Sequence, residues 1–513
     1  MKHAALGLTA VLLAVGLWEA TTARASVLDT HAARAQELTV GLDFAEAHRE
    51  LALGNPDDPN IVIESGRLAL YESDCDVALV VLTRPDVARS EEGAALGDIA
   101  RGCARVTAAT VMDKDEAHAV EIRYQDESDR ALTPLIVATV ASARDALTRD
   151  LGVTWPKPTR ITVVRDVMSL SVMTGLPQKD AQTTGTVAVA KWGRVTLLSP
   201  RASQHGYSWR DTIAHELTHL AVTRATIDRA PLWLQEGVAK REEVRWRDPG
   251  PFDDRPSPDA IVMRGMEMKP KLDLPLDKLG PSIAMLPSAD AAMVAFAEVT
   301  SFVRFLADES KPDVLPKLFA ELRRGKNPDD ALGRATGATL KEWDIRWRAY
   351  LADKPKAPLP AVFGLGQAHT GPDMRDVSAR ARLAELLFAR KHAAEALAQI
   401  DRIATPETLE DPSLRYLRAR IFEALGRSEE AAPILADPKD VVSSFGPWWA
   451  VRGRLARARG DEPLAGSSFL EAVANDPLEV EAACETLDGA VGGVSNTLCD
   501  ASRARKEPDI GKE

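Results

Sequence analysis

A pair of histidines constrains this chain more than any other feature of its sequence. Residues 215–219 read H-E-x-x-H, with His215 and His219 four positions apart and Glu216 between them. An α-helix places both histidines on one face, where they can bind one metal ion, with Glu216 beside the open coordination position. The alternative is an ordinary amphipathic helix with two incidental histidines, so a metal site requires a third ligand.

The residues around this pair predict a helix. Ser208 is a favourable N-cap, and Asp211 follows three positions later as in a variant of the capping box. Apolar residues recur on one side at helical spacing; they are Ile213, Leu217, Leu220 and Ala221. The histidines therefore project from the opposite side and not from the stripe that faces the core.

Glu236 is the candidate third ligand. Pro231 favours the start of a second helix just before it, and Gly237 lets the two helices approach closely. Two histidines, one glutamate and a water are the coordination set of a catalytic zinc rather than a structural one. Glu242 and Glu243 are candidate partners that orient the histidines, unless they are simply solvated charges.

The composition indicates a soluble globular protein, with 45% hydrophobic and 27% charged residues. A chain of 513 residues is expected to hold two to four domains. The net charge is −12, and no segment concentrates Lys and Arg. We therefore expect no nucleic-acid partner.

Residues 1–25 have the features of a cleavable secretory signal. Lys2 supplies a positive charge, an uncharged apolar run continues to Trp18, and Ala25 ends an A-x-A cleavage site. An uncleaved anchor is the alternative, but the run is shorter than the ~20 residues that a membrane span needs. We expect cleavage after Ala25, export to the periplasm or the extracellular space, and no stable membrane span afterwards.

The four cysteines form two couples that are local in sequence. In an oxidising compartment each couple could close its own disulfide, which suggests the pairs Cys75–Cys103 and Cys484–Cys499, although other connectivities stay open. No cysteine lies in a C-x-x-C unit or near the histidine pair, which argues against cysteine as a metal ligand.

The order of the predicted elements indicates an α+β chain with all-α flanks. Residues 26–112 are helical and fit either degenerate tetratricopeptide-type hairpins or a plain helical domain. The other segments are the signal at 1–25, a central domain with a small mixed sheet at 113–353, a linker at 354–375, helical repeats at 376–500 and a polar tail at 501–513.

The central domain alternates strands and helices upstream of the histidine pair. We expect strands at 118–124 and 160–164, a helix at 131–151, and a β-hairpin formed by 186–190 and 195–199. The hairpin offers an edge strand to which an extended peptide could pair, unless it merely covers the core. After the metal helix, the proline-rich segment 247–287 predicts a surface wrap with little room for long regular elements.

The C-terminal region shows signs of an internal repeat. Gly426 and Gly460 are separated by about one tetratricopeptide period, and each stands between two helical segments. Asn475 ends a helix where tetratricopeptide units commonly place such a turn. Two or three stacked helical hairpins are therefore expected, and they serve either to bind a protein partner or as a packing module.

The central domain resembles the gluzincin-type metallopeptidases. In particular it is similar to the peptidase-MA-like domains that occur with tetratricopeptide repeats in secreted bacterial proteins, distant relatives of aminopeptidase N and thermolysin. The residues that carry the resemblance are H-E-L-T-H at 215–219 and W-L-Q-E-G at 233–237. The resemblance implies a small mixed sheet with active-site helices, followed by a helical subdomain.

It also implies a role for each matching residue. The implied ligands of a Zn²⁺ ion are His215, His219 and Glu236, and the implied general base for a zinc-activated water is Glu216. The exopeptidase motif G-x-M-E-N is absent from the sequence. The implied enzyme is therefore endopeptidase-like.

One residue departs from the family's pattern. In aminopeptidase-N-like members a tyrosine at the start of a downstream helix donates a hydrogen bond to the tetrahedral intermediate, and Phe296 stands in its place. Losing one such donor typically lowers the rate by ~10²- to 10³-fold. His205 and Tyr207, just before the metal helix, are candidate replacements, unless they are only surface loop residues.

Three functions remain open at this point. The first is an exported zinc-dependent peptidase that hydrolyses peptide bonds in a peptide or protein substrate. The second is a catalytically weak or inactive zinc-peptidase scaffold whose repeats bind a protein partner in the cell envelope. Phe296 favours the second, whereas Glu216 and a complete ligand set favour the first. A zinc hydrolase acting on a non-peptide amide is a third alternative.

Overall fold

The computed structural model describes residues 30–153, 157–202, 207–249, 253, 257–355, 374–406, 408–410, 412–436 and 446–475. The chain forms two compact units that divide between Ala104 and Arg105. The predicted signal, most of the linker, the polar tail, His205 and the couple Cys484 and Cys499 lie outside the described residues and stay predictions.

The first unit is built from short helices paired in sequence. They are α1 (Thr30–Val40), α2 (Phe44–Leu53), α3 (Pro59–Tyr71), α4 (Cys75–Leu82) and α5 (Glu91–Thr107), the last of which extends past the unit's boundary. Helix α1 packs on α2, α3 packs on α4, and α1 also contacts α3. The disulfide Cys75–Cys103 joins the start of α4 to α5, which confirms that predicted pair.

The second unit begins with a five-stranded sheet. Its strands are β1 (Val111–Asp115), β2 (Val120–Tyr124), β3 (Thr159–Val164), β4 (Ala188–Lys191) and β5 (Arg194–Leu198), in the order β1-β2-β3-β5-β4. The inner strands β2, β3 and β5 are parallel, and β1 and β4 are antiparallel to their neighbours. Strand β1 begins inside the region predicted to be helical.

Strands β4 and β5 form the predicted hairpin. Trp192 and Gly193 connect them, and both have positive φ (55° and 66°), as the two central residues of a type I′ turn require. Because the sheet order ends at β4, this strand is an edge among the described strands. The hairpin therefore places an edge strand next to α9, the helix that carries the histidine pair.

Ten described helices of the second unit lie between or after these strands along the chain, and three of them pack on the sheet. The ten are α6 (Thr133–Leu151), α7 (Val167–Thr174), α8 (Gln178–Thr184), α9 (Trp209–Thr226), α10 (Leu232–Glu242), α11 (Pro258–Glu267), α12 (Ala289–Asp308), α13 (Val314–Arg323), α14 (Pro328–Thr336) and α15 (Leu340–Ala352). Helix α9 carries the H-E-x-x-H pattern and contacts α6, α10, α13, β4 and β5. Its predicted apolar stripe is buried, with Ile213 and Leu217 fully so.

Helix α11 lies inside the proline-rich segment that was expected to lack long regular elements. Pro258 occupies its first turn, where the missing N–H is not needed and the fixed φ suits a helix. No further proline occurs before Pro270. The expectation was wrong because the position of a proline, and not the density of prolines, decides whether a helix can form.

Helix α10 rests on α12 at Gly237. A Cβ atom at this position would lie 2.3 Å from Cγ2 of Val303 and 2.6 Å from the backbone oxygen of Val299. We expected Gly237 to allow the close approach of α10 to α9. The expectation was wrong about the partner, because Gly237 lies against α12. Trp233 also packs edge-on against Phe302, with ring centroids 5.3 Å apart.

The C-terminal part of the second unit consists of helical hairpins. Its helices are α16 (Met374–Ala389), α17 (Ala393–Asp401), α18 (Pro412–Ala424), α19 (Ser428–Ile434), α20 (Gly446–Ala458) and α21 (Glu462–Asn475). They pack in consecutive pairs around a shared apolar core. Gly426 and Gly460 follow α18 and α20 with φ of 71° and 77°, so the spacing of these two glycines corresponds to equivalent helix ends.

Within the ranges that the structure describes, no helix is both long and apolar enough to cross a membrane.

Substituting Gly237 tests the close packing of α10 against α12. We expect Gly237→Ala to lower the free energy of unfolding by about 1–3 kcal/mol, because the new methyl group overpacks against a backbone oxygen that cannot rotate away. Gly333→Ala is the matched control, since a Cβ there meets nothing within 4 Å. It should be neutral or stabilise the protein by up to about 1 kcal/mol. Denaturant unfolding followed by tryptophan fluorescence measures both, and equal effects would contradict the close contact.

Candidate metal centre

Two imidazoles and one carboxylate converge between α9 and α10. Nε2 of His215 lies 3.2 Å from Nε2 of His219, and Oε2 of Glu236 lies 3.6 and 3.4 Å from these two atoms. These three ligand atoms lie close enough together to hold one metal ion, and no second such group is found in the described part of the chain. The structure thus brings together the three residues that the sequence singled out.

The size of this triangle fits a zinc ion. Nitrogen and oxygen ligands bind zinc at about 2.0–2.1 Å in tetrahedral geometry, which places neighbouring ligand atoms about 3.3 Å apart. The three observed separations of 3.2, 3.4 and 3.6 Å bracket that value closely. His215, His219 and Glu236 could therefore hold zinc without a large rearrangement.

Each histidine is oriented by a second residue. Nδ1 of His215 donates to Oε2 of Glu243 at 3.0 Å, and Nδ1 of His219 faces Oε1 of Gln235 at 3.4 Å. Such partners fix the ring and leave Nε2 directed at the metal position. Of the two predicted orienting candidates, Glu243 contacts a histidine, whereas Glu242 pairs with Arg241.

The charges around the histidines favour a cation. Burial opposes protonation of His215, but the carboxylates of Glu236 and Glu243 outweigh it and raise its pKa to about 10. Burial would raise the pKa of Glu236, yet His219 and His215 hold it well below its usual range. The same carboxylates would attract a metal ion, which would bind the neutral imidazoles in exchange for their protons.

Glu216 lies in the same buried region but has a different environment. Its Oε2 accepts a hydrogen bond from the backbone N–H of Ala190 on β4, at 2.5 Å. Burial raises the pKa of Glu216, His215 and His219 lower it, and Glu236 raises it again, with a net upward shift. A carboxylate with a raised pKa accepts a proton more readily near neutral pH than an exposed one does.

Asp211 anchors the first turn of α9. Its carboxylate accepts hydrogen bonds from Nε1 of Trp246 at 2.9 Å and from Nε and Nη2 of Arg247 at 2.9 and 2.8 Å. Ser208 is the N-cap residue, but its side chain makes no capping hydrogen bond. The predicted capping box is therefore wrong, because Asp211 binds the segment after α10 instead of supporting the N-cap.

A cavity of about 450 Å³ adjoins His215 and Glu216. Its walls come from α9, α10, α11, α12 and the segment that enters β4, and its apolar lining includes Ile261, Met293 and Phe296. The volume lies within the range of small-ligand sites. Phe296 therefore lines the same cavity as the candidate base, but it lies within α12 and not at its start.

The two predicted donors differ in what the structure describes of them. His205 lies outside the described residues. The hydroxyl of Tyr207 donates to the backbone oxygen of Leu198, and Tyr207 does not line the cavity. Burial also raises the pKa of Tyr207 well above its usual value. In this arrangement the Tyr207 hydroxyl serves the backbone of β5, and its role as a donor stays a prediction.

Several residues that support the site were not anticipated from the sequence. Ala190 acts through its backbone, and no sequence pattern marks it. Gln235 precedes Glu236 directly, but an amide next to an acidic residue is not a signal by itself. Lys240 lies three positions before Glu243, which is the spacing of a helical ion pair, so this pair could have been found from the sequence.

A comparison with known proteins covers the part of the chain that holds this site. A family model described as the Peptidase MA superfamily matches residues 139–353, which begin inside α6 and end after α15. The matched region contains the histidine pair, Glu236 and Phe296. Among curated proteins, no significant match to the chain is found. The match supports a peptidase-MA-like domain, in a superfamily that is generally zinc-dependent, and points to a peptidase or hydrolase in general.

Proposed function

We propose that the domain at residues 113–353 is a zinc-dependent peptidase that hydrolyses peptide bonds and acts outside the cytoplasm, in the periplasm or the extracellular space. The observation that carries this proposal is the triangle formed by Nε2 of His215, Nε2 of His219 and Oε2 of Glu236. Glu216 and an open cavity lie directly beside the triangle.

The residues of the chain divide the chemistry among them. Zinc, when bound by the three ligands, would polarise the substrate carbonyl and lower the pKa of the attacking water. Glu216 takes the proton from that water and passes it to the leaving amine. The N–H of Ala190 holds the carboxylate of Glu216 in place, so little reorganisation is required before proton transfer.

The free edge of β4 is suited to an extended peptide. The N–H of Leu198 donates to the oxygen of Val187 at 2.8 Å, so alternation along an antiparallel pair points the backbone groups of Ala188 and Ala190 away from β5. Ala188 lines the cavity. A substrate strand paired there has its backbone next to Glu216 and an alternate side chain in the apolar cavity, as an endopeptidase requires.

Export and partner binding belong to the same proposal. The signal features of residues 1–25 motivate export, and the Cys75–Cys103 disulfide is of the kind that persists in oxidising compartments. The stacked hairpins of α16–α21 are proposed to be tetratricopeptide-like and to hold a protein partner or substrate.

A zinc-peptidase scaffold without strong activity is the second candidate. Phe296 lines the cavity and cannot donate a hydrogen bond to a reaction intermediate, and the hydroxyl of Tyr207 is bonded to Leu198. These observations favour slow chemistry, whereas the buried Glu216 beside a complete ligand set favours catalysis. A chelator-sensitive assay on a broad unstructured protein substrate separates the two candidates.

Removing any ligand should abolish zinc binding. We expect the full chain to hold about one zinc ion and His215→Ala, His219→Ala and Glu236→Ala each to lose it, because two remaining ligands do not close a tetrahedral site. His118→Ala is the control, since His118 is exposed and bonded to Asp115. Elemental analysis after dialysis measures zinc per chain, and zinc retained in all three ligand variants would rule out this site.

Replacing the candidate base should separate binding from chemistry. We expect Glu216→Gln to keep zinc but to lose peptidase activity by about 10²-fold or more, because the amide cannot accept the proton. Glu309→Gln, a neutralised exposed acid of the same domain, should behave as the parent does. Cleavage of an unstructured protein substrate is measured alongside bound zinc. A Glu216→Gln protein that cleaves as fast as the parent would show that Glu216 is not the base.

Adding a hydroxyl at position 296 tests the place of the missing donor. We expect Phe296→Tyr to raise kcat, by up to about 10²-fold, with a smaller change in KM, because the new donor acts chiefly in the transition state. Phe305→Tyr on the same helix is the control, since Phe305 packs against Trp343 and Tyr350. An unchanged or lower kcat in Phe296→Tyr would show that this residue is only a wall of the cavity.

A further inference from the structure

Lys240 and Glu243 form an ion pair at the end of α10. Nζ of Lys240 lies 2.8 Å from Oε1 and 2.7 Å from Oε2 of Glu243. Oε2 is also the atom that accepts the hydrogen bond from Nδ1 of His215 at 3.0 Å. One carboxylate oxygen therefore joins a lysine to a candidate metal ligand.

We propose that Lys240 is a positioning residue for the metal centre and acts through Glu243 on the ring of His215. The inference rests on the proposed metal site but not on peptidase activity. Lys240 holds the Glu243 carboxylate in one orientation, and Glu243 in turn fixes the imidazole so that Nε2 faces the metal position. Lys240 also lines the cavity beside Glu216, but its ammonium group is bonded to Glu243 and is not one of the candidate ligands.

The location of Glu243 explains why it requires a cation. Glu243 is the C-cap residue of α10, where the negative end of the helix dipole disfavours a carboxylate. Its side chain is only 22% exposed, so water solvates the charged carboxylate poorly. Lys240 provides this cation, since among the described lysines and arginines it is the one that forms an ion pair with Glu243.

The neighbouring acid has a different set of partners. Glu242 is 1% exposed in its side chain and pairs with Arg241 and, at 3.5 Å, with Arg245. Arg245 also pairs with Asp150 on α6 at 2.8 Å. Glu242 therefore belongs to a cluster that reaches Asp150 on α6 through Arg245, whereas Glu243 contacts His215, so the two adjacent acids have different partners.

The two histidines are supported unequally. His219 faces the neutral amide of Gln235 at 3.4 Å, whereas His215 donates to a carboxylate at 3.0 Å that is itself held by Lys240. Hydrogen bonds to charged groups are shorter and stronger than bonds between neutral groups. The Lys240–Glu243 pair thus gives His215 a firmer orientation than Gln235 gives His219.

A double-mutant cycle on zinc affinity tests this chain of contacts. Four full-length proteins are titrated with zinc in competition with a chromophoric chelator. They are the parent, Lys240→Met, Glu243→Gln and the double variant. We expect Glu243→Gln to weaken zinc binding about 10- to 100-fold and Lys240→Met to weaken it several-fold. Because Lys240 acts only through Glu243, the double variant should bind zinc as weakly as Glu243→Gln alone.

Two further variants separate positioning from general effects. Lys240→Arg should restore most of the parent affinity, because a guanidinium can also pair with the carboxylate. Lys317→Met removes a lysine from the exposed pair with Asp313, at 2.7 Å on α13, and should leave zinc affinity unchanged. Unfolding of the zinc-free proteins identifies any variant that fails to fold. If Lys240→Met is such a variant, the zinc affinity of Lys240→Arg is compared with that of the parent instead.

The inference is overturned if Lys240→Met binds zinc as tightly as the parent, or if it weakens binding equally with and without Glu243. A parent protein that binds no zinc also overturns it, along with the metal site. A parent that binds zinc and shows the expected coupling but cleaves no peptide supports this inference and contradicts the proposed peptidase, so the two proposals fail separately.

Discussion

The candidate metal centre depends on the close packing of α10 against α12 at Gly237. Glu236 is the residue before Gly237, so the depth of this contact sets where the carboxylate lies relative to the histidines on α9. A Cβ atom would have to move about 1 Å outward from its 2.3 Å approach to Val303 before it reached an ordinary contact distance. Metal ligands tolerate errors of only about 0.2 Å. The packing of α10 on α12 therefore sets the position of Glu236, the third candidate ligand. The sequence of either helix alone does not show this dependence.

One buried and two partly buried acids share this small volume, and each is stabilised in a different way. Glu236 faces two imidazoles, Glu243 faces His215 and Lys240, and Glu216 accepts a backbone N–H from β4. The pKa values of Glu236 and Glu243 are lowered by their cationic neighbours, whereas burial dominates for Glu216 and raises its pKa. Environments that separate pKa values in this way also separate roles, with two acids that stay charged and one that can exchange a proton.

The parts of the site that were predictable from sequence are those fixed by local spacing. The histidine pair follows from helical periodicity, Glu236 from a second helix, and the β4–β5 hairpin from its turn residues. The contacts of Asp211 with Arg247, of Gly237 with α12, and of Glu216 with Ala190 join segments that are distant along the chain, and nothing local specifies them. Helix α11 was missed for a different reason, since Pro258 begins that helix rather than interrupting it.

Strand β4 would connect the candidate base to the proposed binding of an extended chain. Its outward-facing N–H at Ala190 is already bonded to Glu216, so a peptide that pairs with this edge can use the backbone groups of Ala188 and the oxygen of Ala190 but not that N–H. The same strand thus sets the position of the proton acceptor and limits the register of the bound chain. In the proposed peptidase both constraints would arise from one strand, so β4 would position the scissile bond relative to the carboxylate of Glu216.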